Sequence, residues 1–253
     1  MTESFELAGF DDAPIHVTAM GKGPAVLLLH GLFSSADTNW VRYGTARRIV
    51  DAGFRLLMPD FRGHGKSASP TADAAWPVDV LSMDVETIID QLRLGPDFVL
   101  GGYSLGARTA ARLLARGLRP RAAIFAGMGL AGLTDANRRT AWFLRMIRGR
   151  GNWARGTGEF LAETFMKASV QAPECMIPLL EKQLDTPEAV LRAFEPPALV
   201  VAGADDHDNG SAPELARLLP DGRYREIPGN HMASVTKAEL GAEMAAFLRE
   251  VAG

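Results

Sequence analysis

Short apolar runs ending in glycine, proline or histidine alternate along the chain with longer stretches in which apolar residues recur every three or four positions. Ala25-Val-Leu-Leu-Leu-His30 is the clearest run. It shows no alternation toward a polar face, as expected of a strand covered on both sides. Similar runs at Ile15–Met20, Phe54–Pro59, Phe98–Tyr103, Ala122–Ala126, Ala198–Ala202 and Arg223–Ile227 predict seven strands, with an earlier one near Phe5. Helical periodicity falls between them, at Asn39–Ala52, Val80–Leu94, Ser104–Gly117, Ala212–Leu219 and Ala233–Val251. In the last of these, Val235, Leu240, Met244, Phe247, Leu248 and Val251 line one face. The alternation predicts an α/β fold: a mostly parallel twisted sheet of about eight strands with helices on both faces.

One stretch breaks the rhythm. Residues 127–197 contain no convincing strand, whereas a parallel crossover needs only a dozen or so residues. Asp135–Arg148, Glu159–Ser169 and Pro173–Leu184 read as short helices, the first two joined by a glycine-rich segment. The expected organisation is a core of residues 1–127 and 197–253 with a helical cap of residues 128–196 inserted at one end of the sheet.

Composition narrows the function. With 27 Lys+Arg against 30 Asp+Glu the net charge is −3, which argues against a basic nucleic-acid-binding protein. The 47% apolar and 23% charged content is that of an ordinary globular chain. No apolar stretch reaches the ~20 residues of a membrane-spanning helix, and the acidic start lacks the features of a signal peptide, so a cytoplasmic protein without stable membrane association is expected. Cys175 is the single cysteine, which rules out an intramolecular disulfide and a cysteine-rich metal site. Oligomeric state is not legible.

The chemistry concentrates at Gly102-Tyr-Ser-Leu-Gly106, where an apolar run passes directly into a helix. A strand-to-helix turn that tight strains the central serine, exposes its hydroxyl, and needs neighbours without bulk two positions away. A serine hydroxyl is a poor nucleophile without an adjacent base. Of the five histidines, His231 lies after the last strand and before the last helix, where a loop can bring it over the elbow. The acid should end a neighbouring strand, and Gly203-Ala-Asp-Asp206 offers Asp206 first, Asp205 second and Asp208 third. An oxyanion formed at Ser104 requires pre-aimed donors. Leu105 N–H, just after the nucleophile, and Leu32 N–H, in the loop after Ala25–His30, are the choices, with Phe33 N–H next.

Together these segments, with His30-Gly31-Leu32, Asp60-Phe-Arg-Gly-His-Gly-Lys-Ser67 and Gly229-Asn-His231, resemble the α/β-hydrolase superfamily in its compact, capped, esterase-like and lipase-like branch. The resemblance covers residues ~14–127 and ~197–250. It implies Ser104 as nucleophile, His231 as base, Asp206 as acid, Leu32 and Leu105 as oxyanion donors, and no cofactor or metal. Two departures stand out: Asn230 precedes the histidine where many relatives have glycine, and no proline follows Asp206. Asp60, Arg62 and His64 read as a structural turn.

For substrate contact the choices are Phe33, Tyr103, Trp142, Met146 and Trp153, although helical spacing alone does not separate cap core from pocket lining. Between residues 135 and 155 the cap carries Arg138, Arg139, Arg145, Arg148, Arg150 and Arg155 against Asp135. That run is either a solvated helix face or a surface for anions. The expected activity is hydrolysis of carboxylic esters of small to medium apolar molecules through an acyl-serine. The same triad also serves carbon–carbon hydrolysis, lyase or perhydrolase chemistry, and a ligand-binding module with little turnover is the reading from another class.

Overall fold

The computed structural model describes residues 2–252. Eight strands form one sheet in the order β1-β2-β4-β3-β5-β6-β7-β8. They are β1 (Thr2–Ala8), β2 (Pro14–Met20), β3 (Ala25–Leu29), β4 (Arg55–Pro59), β5 (Val99–Tyr103), β6 (Ala122–Ala126), β7 (Ala198–Gly203) and β8 (Gly222–Ile227). β2 runs antiparallel to both β1 and β4, and every other pairing is parallel. The expected α/β class and mostly parallel sheet are therefore observed.

Alternation along each central strand feeds two separate cores. Leu27, Leu29, Leu100, Phe125 and Val200 face one side, where α2 (Val80–Gln91), α3 (Leu105–Ala115) and α9 (Ala212–Leu218) contribute Val85, Ala107 and Leu215. Val26, Leu28, Val99, Ile124 and Val201 face the other, against α1 (Thr45–Asp51) and α11 (Ala238–Ala252). Every one of these strand side chains is buried, so a sheet covered on both faces needs no polar alternation.

Two predicted helices are broken. Asn39–Ala52 is a π-type turn over Asp37–Val41 followed by α1, because Gly44 between them takes a left-handed φ of 83°. Ala233–Val251 is interrupted after a single short turn, α10 (His231–Ser234), and resumes as α11. The Asn230 carboxamide oxygen accepts Ala233 N–H at 3.0 Å, so the helix starts early enough to include His231.

Between β6 and β7 lie α4 (Leu130–Thr134), α5 (Thr140–Arg148), α6 (Gly158–Met166), α7 (Met176–Glu181) and α8 (Glu188–Arg192). The helix expected from Asp135 begins only at Thr140, because residues 135–139 form a turn held by Ala136 N–H donating to Asp185 Oδ1 at 2.7 Å. The short α4 and α8 lie outside the three helices expected there.

The loop after β4 is a fixed polar turn. Asp60 Oδ1 accepts Ala36 N–H at 2.7 Å and its Oδ2 accepts Lys66 N–H at 3.0 Å. A Cβ on Gly65 would collide with that carboxylate, 2.2 Å from Oδ2. His30 Nε2 accepts Phe61 N–H at 2.8 Å, so its Nδ1 carries the proton and donates to Gly31 O at 2.7 Å. Burial lowers His30 to about 4 and His64 to about 3, which keeps both imidazoles neutral at ordinary pH.

Candidate active site

The loops at the C-terminal ends of β3, β5, β7 and β8 converge on one spot. β5 turns into α3 through Ser104, whose φ of 51° and ψ of −110° lie outside the basins open to ordinary residues. The turn closes only because its flanking positions lack a side chain. A Cβ on Gly102 would sit 2.2 Å from the Gly106 backbone, and one on Gly106 only 2.0 Å from Leu29 O. Residues with any Cβ would open the elbow and withdraw the hydroxyl.

From the end of β8, Gly229 bends the chain with a φ of 102° and Asn230 caps α10, turning His231 inward. Its Nε2 lies 3.0 Å from Ser104 Oγ and its Nδ1 2.8 Å from Asp206 Oδ2. With Asp206 ionised, Nδ1 is the protonated nitrogen, so Nε2 is left to accept from the serine hydroxyl. Tyr103 O–H donates to the His231 carbonyl at 2.5 Å, tying the base to the elbow strand.

Geometry distinguishes the three aspartates at the end of β7. Asp205 is exposed. Asp208 turns to the cap and pairs with Arg139 at 2.7 Å. Asp206 has a side chain only 3% exposed and hydrogen-bonds His231. Asp206 Oδ1 also accepts Asp208 N–H at 3.2 Å, so the same short loop that anchors the cap holds the carboxylate.

A cavity of ≈ 470 Å³ opens over Ser104, within the range of small-molecule sites. Leu32 and Leu105 both lie in its wall. Leu105 is the first residue of α3, so its N–H has no carbonyl one turn earlier and is free to face an anion. Phe33 and Trp142 also line the cavity, joined by Phe143, Leu161 and Phe165. Phe33 and Phe143 meet edge to face with ring centroids 5.6 Å apart.

Two expected contacts are corrected. Met146 is completely buried in the cap core, on a helix, α5, that packs against α7. Trp153 packs on Gly149 and donates its indole N–H to Met146 O at 3.0 Å, pinning the turn between α5 and α6. Neither residue lies in the cavity wall. Tyr103 does, though its hydroxyl is occupied by the His231 carbonyl.

The cap arginines are largely matched by acids remote in sequence. Arg145 pairs with Glu159 at 2.5 Å, Arg148 with Glu181 at 2.8 Å, Arg150 with Glu174, and Arg139 with Asp208 at 2.7 Å. The positive run seen in the sequence is therefore not a free positive surface. The arginine in the cavity wall that sequence reading overlooked is Arg108, on α3. It was hidden among the Ala, Leu and Arg residues of an ordinary amphipathic helix.

Comparison with known proteins agrees with this architecture. Residues 26–243 match the alpha/beta hydrolase family. An epoxide hydrolase from Caballeronia sordidicola is 36% identical over 96 residues, which are 38% of this chain and 28% of that enzyme. The chain thus spans under a third of that relative's length. Among solved structures, an esterase from Thermogutta terrifontis superposes with a TM-score of 0.75 at 20% identity, over 98% of this chain and 99% of that one. An esterase from Exiguobacterium antarcticum gives 0.77 at 16% identity, over 96% and 98%. At such identities the likeness is one of fold.

Proposed function

The chain belongs to the alpha/beta hydrolase family, and on that premise we propose that it is a cofactor-independent serine hydrolase acting on carboxylic esters of small to medium molecules. The observation that carries this reading is the unbroken hydrogen-bonded series Ser104 Oγ, His231 Nε2, His231 Nδ1, Asp206 Oδ2, with steps of 3.0 and 2.8 Å at the floor of a cavity.

In the proposed reaction Ser104 Oγ attacks the ester carbonyl carbon while His231 Nε2 takes the hydroxyl proton. Asp206 stabilises the resulting imidazolium and keeps its ring oriented. Negative charge collects on the carbonyl oxygen, where Leu105 N–H, at the positive end of α3, and Leu32 N–H donate. His231 then returns its proton to the leaving alcohol oxygen as the carbon–oxygen bond breaks. Water, deprotonated by the same nitrogen, cleaves acyl-Ser104 and restores the hydroxyl. The aromatic and aliphatic wall formed by Phe33, Phe143, Leu161 and Phe165 suits the carbon skeleton of the substrate.

The test is direct. Ser104→Ala should reduce turnover of a p-nitrophenyl ester by roughly 10⁴-fold or more with an unchanged unfolding midpoint. A fluorophosphonate should label the unaltered chain at Ser104. Absence of labelling, where control esterases react, would remove the proposal.

A further inference from the structure

The proposed reaction leaves Arg108 unused. It sits on α3 four residues after Ser104, and both residues border the same cavity. It forms part of the cavity wall. Its hydrogen bond is Nη1–H to Ala136 O at 2.9 Å, and its Nε is fully buried with no partner. Burial weighs on the guanidinium most and brings it down to about 10; Asp185 and Asp135 work against that from a distance, and Arg139 adds to it. The group is still charged at neutral pH.

Arg108 is only partly exposed and no acid hydrogen-bonds to it, and a guanidinium withdrawn in part from water gains when a counter-ion reaches it. The cavity supplies no such partner. Asp206 is committed to His231, and Asp208 to Arg139. On its other side, beside Thr109 and Leu179, Arg108 borders a smaller hollow of ≈ 30 Å³ whose acid, Asp79, is paired with Arg112. Of the two spaces that Arg108 borders, the main cavity, at ≈ 470 Å³, is the one with room for a substrate that carries a counter-ion.

We infer that Arg108 receives a carboxylate carried by the substrate, so that the preferred esters are short acid-bearing ones: half-esters of dicarboxylic acids, or acyl esters of hydroxy acids. This rests on the ester-hydrolase reading and deepens it. A guanidinium offers the planar donor pair that a carboxylate matches, whereas a neutral acyl tail leaves the charge uncompensated.

The test separates binding from chemistry. Calorimetric titration of the Ser104→Ala chain would use p-nitrophenyl half-esters of succinic, glutaric and adipic acids, each against the neutral isostere in which an isopropyl group replaces the free carboxylate. Butyryl esters of glycolic and 3-hydroxypropanoic acids, against their methyl-ended counterparts, cover the alcohol side. At least one acid-bearing ester should bind tenfold or more tightly than its neutral partner. Adding Arg108→Met should bring that ratio below twofold, and Arg108→Lys should retain part of it. No preference in any pair, or a preference that survives Arg108→Met, overturns the inference. Turnover and labelling of the unaltered chain report separately on the hydrolase reading, so either can fail without the other.

Discussion

Two arginines of this protein, Arg62 fully buried and Arg108 partly buried, are held in opposite ways. Arg62, in the loop after β4, has no exposed side-chain surface and is saturated. Its Nε and Nη2 grip Asp84 at 3.0 and 2.7 Å, Nη2 also reaches Asp11 at 2.8 Å and Phe10 O at 2.6 Å, and Nη1 donates to Ala75 O at 2.9 Å. Burial alone would lower its proton affinity, but hydrogen bonds to Asp84 and Asp11 outweigh burial and raise it. Arg108 has one backbone carbonyl, no acid, and a lowered proton affinity. The first arrangement locks β1, α2 and the Asp60 loop into one unit. The second is incomplete as a structural element, and it borders the cavity. The contrast is between a charge whose partners are all supplied by the fold and one for which we infer that the substrate supplies the acid.

The comparison can be broken by mutation. Arg62→Met should destabilise the protein by about 3–5 kcal/mol in denaturant unfolding, because Asp84 would remain buried without its partner. A loss under 1 kcal/mol would mean that the network is not structural. Acid provides a gentler attack on the same region. His30 is held neutral in the fold and binds a proton only near pH 4, whereas the unfolded chain binds one near 6.5. Between those values the unfolded state carries more protons, so stability is full above about pH 6.5 and falls as pH drops toward 4. At pH 5 the loss is roughly 2 kcal/mol from His30 alone. Unfolding midpoints at pH 7 and pH 5 would measure it, and His64, lowered further, adds in the same direction. The smallest effect belongs to Arg108→Met. Losing one hydrogen bond is offset by removing an uncompensated charge, so unfolding free energy should stay within about 1 kcal/mol of the parent. A cost as large as that of Arg62→Met would erase the distinction between the two sites.

Met146, Trp153 and the cap arginines mark where reading the chain in one dimension stops. Met146 and Trp142 lie four apart, share one face of α5 and look equivalent in sequence, yet Trp142 lines the cavity and Met146 fills the cap core. Which part of that face is covered and which borders the cavity depends on how α6 and α7 pack along it. The cap arginines form a run of like charge in sequence, but Glu159, Glu174 and Glu181, which lie outside that run, cancel most of it. Choosing among Asp205, Asp206 and Asp208 likewise required the loop's path, since three acids within four residues are indistinguishable by type.

What the chain dictated by itself was local. Continuous apolar runs mean strands covered on both faces, because no polar side chain interrupts them. The glycines on either side of Ser104 mean an elbow, because only glycine fits within 2.3 Å of neighbouring backbone. Both are consequences of sterics and burial over a few residues. The meeting of Ser104, Asp206 and His231, the bend at Gly229 that turns the imidazole inward, and the surroundings of Arg108 were decided only by the folded chain. Each depends on groups many residues apart, and only the packed sheet and cap establish which of them become neighbours.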